Sequence, residues 1–189
     1  MAMRQCCPLT LIASLVMVVV LGCGPAEPDA VTEDDSTGEP TLAAGQTECV
    51  NIIHRYNFHA LEYSYSNDQV VTGLTNPPAV RVTWCLQLVS SLRYRIRPYD
   101  LPTKYLDAYE TCCDNNVVYR DQQNDNSQVW EIIPDAPLSD ALRIKQVNTG
   151  RYLDAYVGTA GGVNRAVTRT VQHNDTQRWY VDDAGCTCS

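Results

Sequence analysis

The sequence predicts an all-β domain built from three repeated units, and three observations carry that prediction. The string Tyr105-Leu106-Asp107-Ala108-Tyr109 recurs as Tyr152-Leu153-Asp154-Ala155-Tyr156, 47 residues further on. Each copy leads to a β-rich string, Val117-Val118-Tyr119-Arg120 and then Ala166-Val167-Thr168-Arg169, and each string is followed by a tryptophan in a matching frame. Short β-type runs alternate with turn residues, and no long stretch carries a helical period. A single five-residue identity could be chance; three matches in the same order mark an internal repeat.

The first element is an export signal. Arg4 supplies a positive start, and an apolar run spans 9–21, broken only by Thr10 and Ser14. That run is shorter than the ~20 residues a membrane span needs, and it ends in small residues, as secretory signals do. The junction Val20-Leu21-Gly22-Cys23 resembles the bacterial lipobox. The resemblance implies a signal peptide over 1–22, cleavage after Gly22 and a diacyl lipid on Cys23. A stable anchor needs two acyl chains. By resemblance to sorting rules, Gly24 in place of Asp after that cysteine points to the outer membrane.

The second element is a tether over 23–46. From Gly24 onward it holds six acids (Glu27, Asp29, Glu33, Asp34, Asp35, Glu39), three prolines, no base and no aromatic. Such a segment cannot bury enough apolar surface to offset its ordering entropy, so the expectation is a disordered spacer. The formal charge is −8, and most of it lies here, which leaves the remainder only mildly acidic. Nothing resembles a basic nucleic-acid surface.

The third element is the folded domain, 47–189. It retains six of the nine cysteines: Cys49, Cys85, Cys112, Cys113, Cys186 and Cys188. An even number in an exported chain predicts disulfides rather than metal ligands, because the Cys-Cys and Cys-x-Cys spacings are not those of zinc sites. Six cysteines allow 15 pairings. The expectation is one bridge joining the domain's ends, from Cys49 to Cys186 or Cys188.

Each unit holds about four strands. In the last unit they are predicted at 141–147, 152–157, 165–171 and 177–181, with Asn-Thr-Gly, Gly-Gly and His-Asn-Asp turns between them. A weaker first unit is read with Phe58-His59-Ala60 against Leu106-Asp107-Ala108, Val70-Val71-Thr72-Gly73 as its second string and Trp84 as its tryptophan. Trp84, Trp130 and Trp179 then lie 46 and 49 residues apart.

Gln128-Val129-Trp130 and Gln177-Arg178-Trp179, in register with a threefold repeat, resemble the ricin-type β-trefoil lectins. Val82-Thr83-Trp84 departs from the pattern by lacking the glutamine. The resemblance covers roughly 47–183. It implies a six-stranded barrel capped by three hairpins, with the tryptophans in the core.

Side chains alternate across a strand. Leu106 and Ala108 should therefore face the core, and Tyr105, Asp107 and Tyr109 the other side; Leu153, Ala155 and Tyr152, Asp154, Tyr156 repeat this. A carboxylate between rings suits a sugar, whose hydroxyls donate to the charge while its C–H face lies on an aromatic. The same stripe also fits a solvated strand face, and Gln128 and Gln177 also fit a role bonding buried backbone. The lectin resemblance implies a site in the second unit at Asp107, Tyr119 (or Tyr109) and Gln128. It implies a weaker one in the third at Asp154, Tyr156, Asn174 and Gln177. Ser127 stands where the family often has asparagine. With His59 at the acid position and Pro77-Pro78 in its loop, the first unit is expected to have lost its site.

No nucleophile–histidine–acid motif, zinc-protease motif or phosphate loop appears, and no cofactor is implied. The expectation is a non-catalytic, lipid-anchored domain whose partner is a glycan or polysaccharide. The rival readings are a protein-binding trefoil with Cys112-Cys113 near its contact loop (a protease inhibitor or envelope assembly partner), and a structural module without a ligand.

Overall fold

The computed structural model describes residues 47–65, 68–72, 81–109, 115–135, 140–156 and 164–188, all within the unit Pro40–Ser189. The signal, Cys23, the tether, Pro77-Pro78 and Cys112-Cys113 lie outside the described residues.

Twelve strands follow in three sets of four. The first set is β1 (Thr47–His54), β2 (Leu61–Ser64), β3 (Gln69–Thr72) and β4 (Thr83–Ser90). The second is β5 (Arg93–Pro98), β6 (Lys104–Ala108), β7 (Val117–Asp121) and β8 (Trp130–Pro134). The third is β9 (Leu142–Gln146), β10 (Tyr152–Ala155), β11 (Asn164–Arg169) and β12 (Trp179–Asp183). The strands expected in the last unit therefore form within one to two residues at most ends, except that Gln177 sits in a 3₁₀ turn ahead of β12.

The first and last strand of each set build a closed barrel. Its order is β12-β1-β4-β5-β8-β9, and β9 returns to β12 through Trp179 and Leu142. Closure removes the unpaired edges that an open sheet would present. The middle strands form three hairpins, β2–β3, β6–β7 and β10–β11. They meet as a cap: Thr72 of β3 pairs with Asn164 of β11, Gln69 of β3 with Val118 of β7, and Asn116 with Val167.

The three indoles bind the units together. Trp84, Trp130 and Trp179 are fully buried. Their Nε1–H groups donate to the carbonyls of Leu61 (2.9 Å), Leu106 (2.9 Å) and Leu153 (3.1 Å). Each bond joins a barrel strand to the hairpin strand of its own unit, so a large apolar group is buried without stranding its polar atom. These bonds also correct the alignment of the first unit. Leu61 stands where Leu106 and Leu153 stand, and the hairpin registers agree: Glu62 pairs with Val71 as Asp107 pairs with Val118 and Asp154 with Val167. The acid position of the first unit is Glu62, three residues beyond His59.

Two of the units close the same way before their tryptophan. The 3₁₀ turns Asn126–Gln128 and Asp175–Gln177 each end in a fully buried glutamine. Gln128 accepts from the Gln123 N–H (2.8 Å) and donates to the Asp121 carbonyl (2.9 Å). Gln177 does the same with Gln172 (2.8 Å) and Thr170 (2.9 Å). Both amides are spent on local backbone, so the site roles expected for Gln128 and Gln177 are corrected to structural ones.

The chain ends are held by two disulfides, Cys49–Cys186 and Cys85–Cys188, with Cα separations of 5.5 and 5.9 Å. Cys49 and Cys85 are direct neighbours on β1 and β4, so the tail is tied across two adjacent barrel strands. The expected end-to-end bridge is present, with Cys186 as the partner of Cys49.

Candidate functional site

An acid, an arginine and a tyrosine come together in each unit, at repeated positions in the second and third, and in the first with only the acid at the repeated position. In the second, the Arg120 guanidinium lies 4.1 Å from the centre of the Tyr109 ring and 4.0 Å from Asp107 Oδ2. In the third, Arg169 lies 4.5 Å from the Tyr156 ring, and its charge acts on Asp154. In the first, Arg81 lies 5.2 Å from the Tyr65 ring and 4.0 Å from Glu62. Arg120 and Arg169 occupy one position at the end of β7 and β11. Arg81 reaches the same grouping from the segment just before β4. The first unit therefore gathers an acid, an arginine and a tyrosine as well, the last two from different positions of its chain.

The acids are not the exposed acceptors that alternation predicted. Asp107 and Asp154 are 1 and 0 % exposed. All of 105–108 is buried, because β6 packs against its hairpin partner on one side and against the 3₁₀ turn Asn126–Gln128 on the other. Both carboxylate oxygens of Asp107, and Oδ1 of Asp154, lack a hydrogen-bond partner. Burial raises the pKa of Asp107, with Ser127 and Arg120 drawing it partly back. Burial likewise raises Asp154 against Arg169 and Thr176, and raises Glu62 against Arg81. The accessible faces of these groups are the arginines and tyrosines: Arg120 has a 40 % exposed side chain, and Tyr156 and Tyr65 are each 47 % exposed.

Tyr119 is also corrected. It is buried in the core, packs edge-on against Tyr63 and donates its hydroxyl to the Ser64 carbonyl at 2.8 Å. Burial, followed by the nearby Asp68, pushes its pKa up to about 12. Its ring is closed off from solvent, whereas Tyr109, just past β6, is only half-buried.

One cleft takes in Tyr156 and Arg169, and another lies apart from these groups. The first, of about 360 Å³, is lined by Asn115, Asn116, Tyr156, Arg165, Thr168 and Arg169, between the second and third hairpins. The other, of about 390 Å³, is lined by Tyr56, His173, Asn174, Asp175, Thr176 and Arg178. Asn174 thus lies in a different cleft from Tyr156. It is tied to Asp154 only through Thr176, whose hydroxyl is within reach of Asp154 Oδ2 (3.1 Å) and Asn174 Oδ1 (2.7 Å). Among the described residues no group of His, Cys, Asp or Glu is placed to hold a metal.

No protein-family model and no curated protein matches the sequence. Solved structures do match the fold. The designed threefold-symmetric protein ThreeFoil superposes with a TM-score of 0.62 at 15 % identity, covering 71 % of this chain and 98 % of that one. The ricin B-like lectin of Macrolepiota procera, in complex with lactose, gives 0.61 at 18 % identity, covering 76 and 99 %. SeviL bound to asialo-GM1 saccharide gives 0.56 at 17 % identity, covering 72 and 98 %. The domain is a β-trefoil. Its lobes are the three units above, and its fold is the one that ricin B-like lectins adopt.

Proposed function

We propose that this trefoil is a non-catalytic glycan-binding domain, held at the bacterial envelope by a lipid on Cys23. The observation that carries the glycan reading is the cleft at Tyr156. A half-exposed ring, braced on one face by Arg169, stands beside Asn115, Asn116 and Arg165. A ring supplies the surface for a sugar's C–H face, and amide and guanidinium groups supply directed hydrogen bonds for its hydroxyls. The lectin neighbours that carry lactose and asialo-GM1 saccharide support the reading. The Tyr109–Arg120 pair offers a second, related surface in the second lobe, and two weak sites would gain strength on a multivalent glycan. This shifts the leading site from Asp107 to the third lobe, because Asp107 is sealed from solvent and instead backs the Arg120 side chain.

The test uses the full chain in a sugar-free detergent on a glycan array, followed by calorimetric titration. Tyr156→Ala should weaken binding about tenfold, as loss of ~1.5 kcal/mol of ring contact implies. Absence of any bound glycan on the array would overturn the reading. For the anchor, Cys23→Ala should release the chain from the membrane fraction; a variant that stays there as fully as the parent removes the lipid from the proposal.

A further inference from the structure

The cleft at Tyr56 has a different construction from the lobe clusters. It lies where the first and third lobes meet, with the β1–β2 turn on one side and the turn Asp175–Gln177 on the other. Tyr56 is 67 % exposed. The turn that presents it is well fixed: the Phe58 N–H donates to the His54 carbonyl (2.9 Å), and the His54 ring bonds the Asn57 side chain (2.8 Å) and the Asp175 carbonyl (3.2 Å). Phe58 holds a φ of +57°, a strained value for a side chain of its size. Its ring lies parallel to that of Tyr180, at 6.4 Å.

Opposite Tyr56 stands Asp175, whose side chain is 45 % exposed. Its Oδ1 is held by Arg178 Nη1 at 2.6 Å and by Arg55 Nη1 at 3.5 Å, one arginine from each lobe. Its backbone carbonyl is held by His54 and by the Arg178 N–H. Oδ2 takes no part in these bonds. The result is an oriented carboxylate with Oδ1 committed, on a residue that lines the same cleft as the exposed Tyr56 ring, Asn174 and His173. This is the exposed acid-and-ring pairing that the buried Asp107 and Asp154 do not provide.

We propose that this interlobe cleft is a further saccharide site, apart from the two lobe surfaces, in which Asp175 Oδ2 accepts hydroxyl protons from a neutral pyranose while Tyr56 covers its C–H face. The ligand class rests on the glycan reading of the trefoil; the site does not, since its lining shares no residue with the Tyr156 cleft. Its volume of about 390 Å³ is within the ~300–1,000 Å³ of small-molecule sites. A neutral sugar is favoured over an acidic one because the group turned to the ligand is itself an anion, and its two neighbouring arginines are already committed to it.

The experiment titrates the full chain, in sugar-free detergent, with a panel of neutral methyl pyranosides and follows saturation-transfer NMR and calorimetric stoichiometry. Tyr56→Ala should weaken binding at this cleft about tenfold, which lowers the fitted stoichiometry by one site, and leave the signal of the lobe sites unchanged. The residue is largely exposed, so its loss leaves the fold intact, which near-UV circular dichroism checks. Tyr56→Phe should retain binding, because it keeps the ring. Tyr156→Ala should leave the Tyr56 site in place. If Tyr56→Ala binds with the affinity and stoichiometry of wild type, this site is excluded while the Tyr156 reading stands. If wild type binds no pyranoside, this proposal is overturned, and the glycan array alone decides the Tyr156 reading.

Discussion

Single residues in this domain show how far burial can redirect a side chain. Asp107 and Asp154 sit on strand positions that alternate correctly with leucine and alanine, yet they are closed in by the turns packed over them. Their folded-state pKa values lie above the ordinary 3.8, chiefly through desolvation. The sign follows from linkage. A carboxyl that ionises later in the fold than in the unfolded chain favours the fold below about the unfolded value, and that contribution is lost as pH rises through the folded value. Asp107→Asn/Asp154→Asn should therefore gain on wild type in urea midpoint as pH is raised from ~4 to ~7. Parallel curves would show that neither carboxylate carries such a penalty. Asp135 has the opposite sign: despite its burial, Arg178 and Arg143 hold its pKa below 3.8, so its ion pairs support the fold above that value and weaken in acid.

At the scale of elements, the trefoil rests on small repeated devices. The indole-to-leucine bond occurs three times, and the buried glutamine twice. Trp130→Phe should keep most of the buried area but strand the Leu106 carbonyl, at a cost of ~1–3 kcal/mol. Trp84→Phe and Trp179→Phe should cost similar amounts in chemical denaturation. Gln128→Ala strands the Gln123 N–H and the Asp121 carbonyl and should destabilise by about 1–3 kcal/mol for each group that water cannot reach. The first lobe has Val82 at this place and still forms its tryptophan bond, so loss of the amide should loosen one turn without unfolding the trefoil.

At the scale of the molecule, the two bridges close loops of 137 and 103 residues onto adjacent strands. On the chain-entropy model a loop of ~100 residues contributes ~4.7 kcal/mol, which is comparable to the whole stability of many domains. Cys85→Ala/Cys188→Ala should therefore lower stability by roughly 2–5 kcal/mol, read as a shift in thermal midpoint without reductant. The reduced parent, which also loses Cys49–Cys186, should melt below the variant. A midpoint unchanged from the oxidised parent would show that Cys49–Cys186 and the packing around Tyr99 and Ala184 hold the tail without this bridge.

The strand class, the three units and a bridge from Cys49 to Cys186 or Cys188 were legible in the linear order, because a period near 47 residues, a two-residue alternation and the places of the cysteines leave a trace there; the core place of the tryptophans followed from the trefoil resemblance. The sequence also displayed Arg120 and Arg169 at the end of each repeated string, although their stacking on Tyr109 and Tyr156 was not legible there. Only the tertiary structure decided that Glu62, not His59, is the first acid, because the indole bond and hairpin pairing set the register where sequence identity had faded. It alone decided that Tyr119, Gln128 and Gln177 face inward. Alternation predicts two faces for a strand, but the cap and the 3₁₀ turns bury both. The Tyr56 cleft had no signal in the repeat, because its walls come from residues more than a hundred positions apart that meet only when the barrel closes.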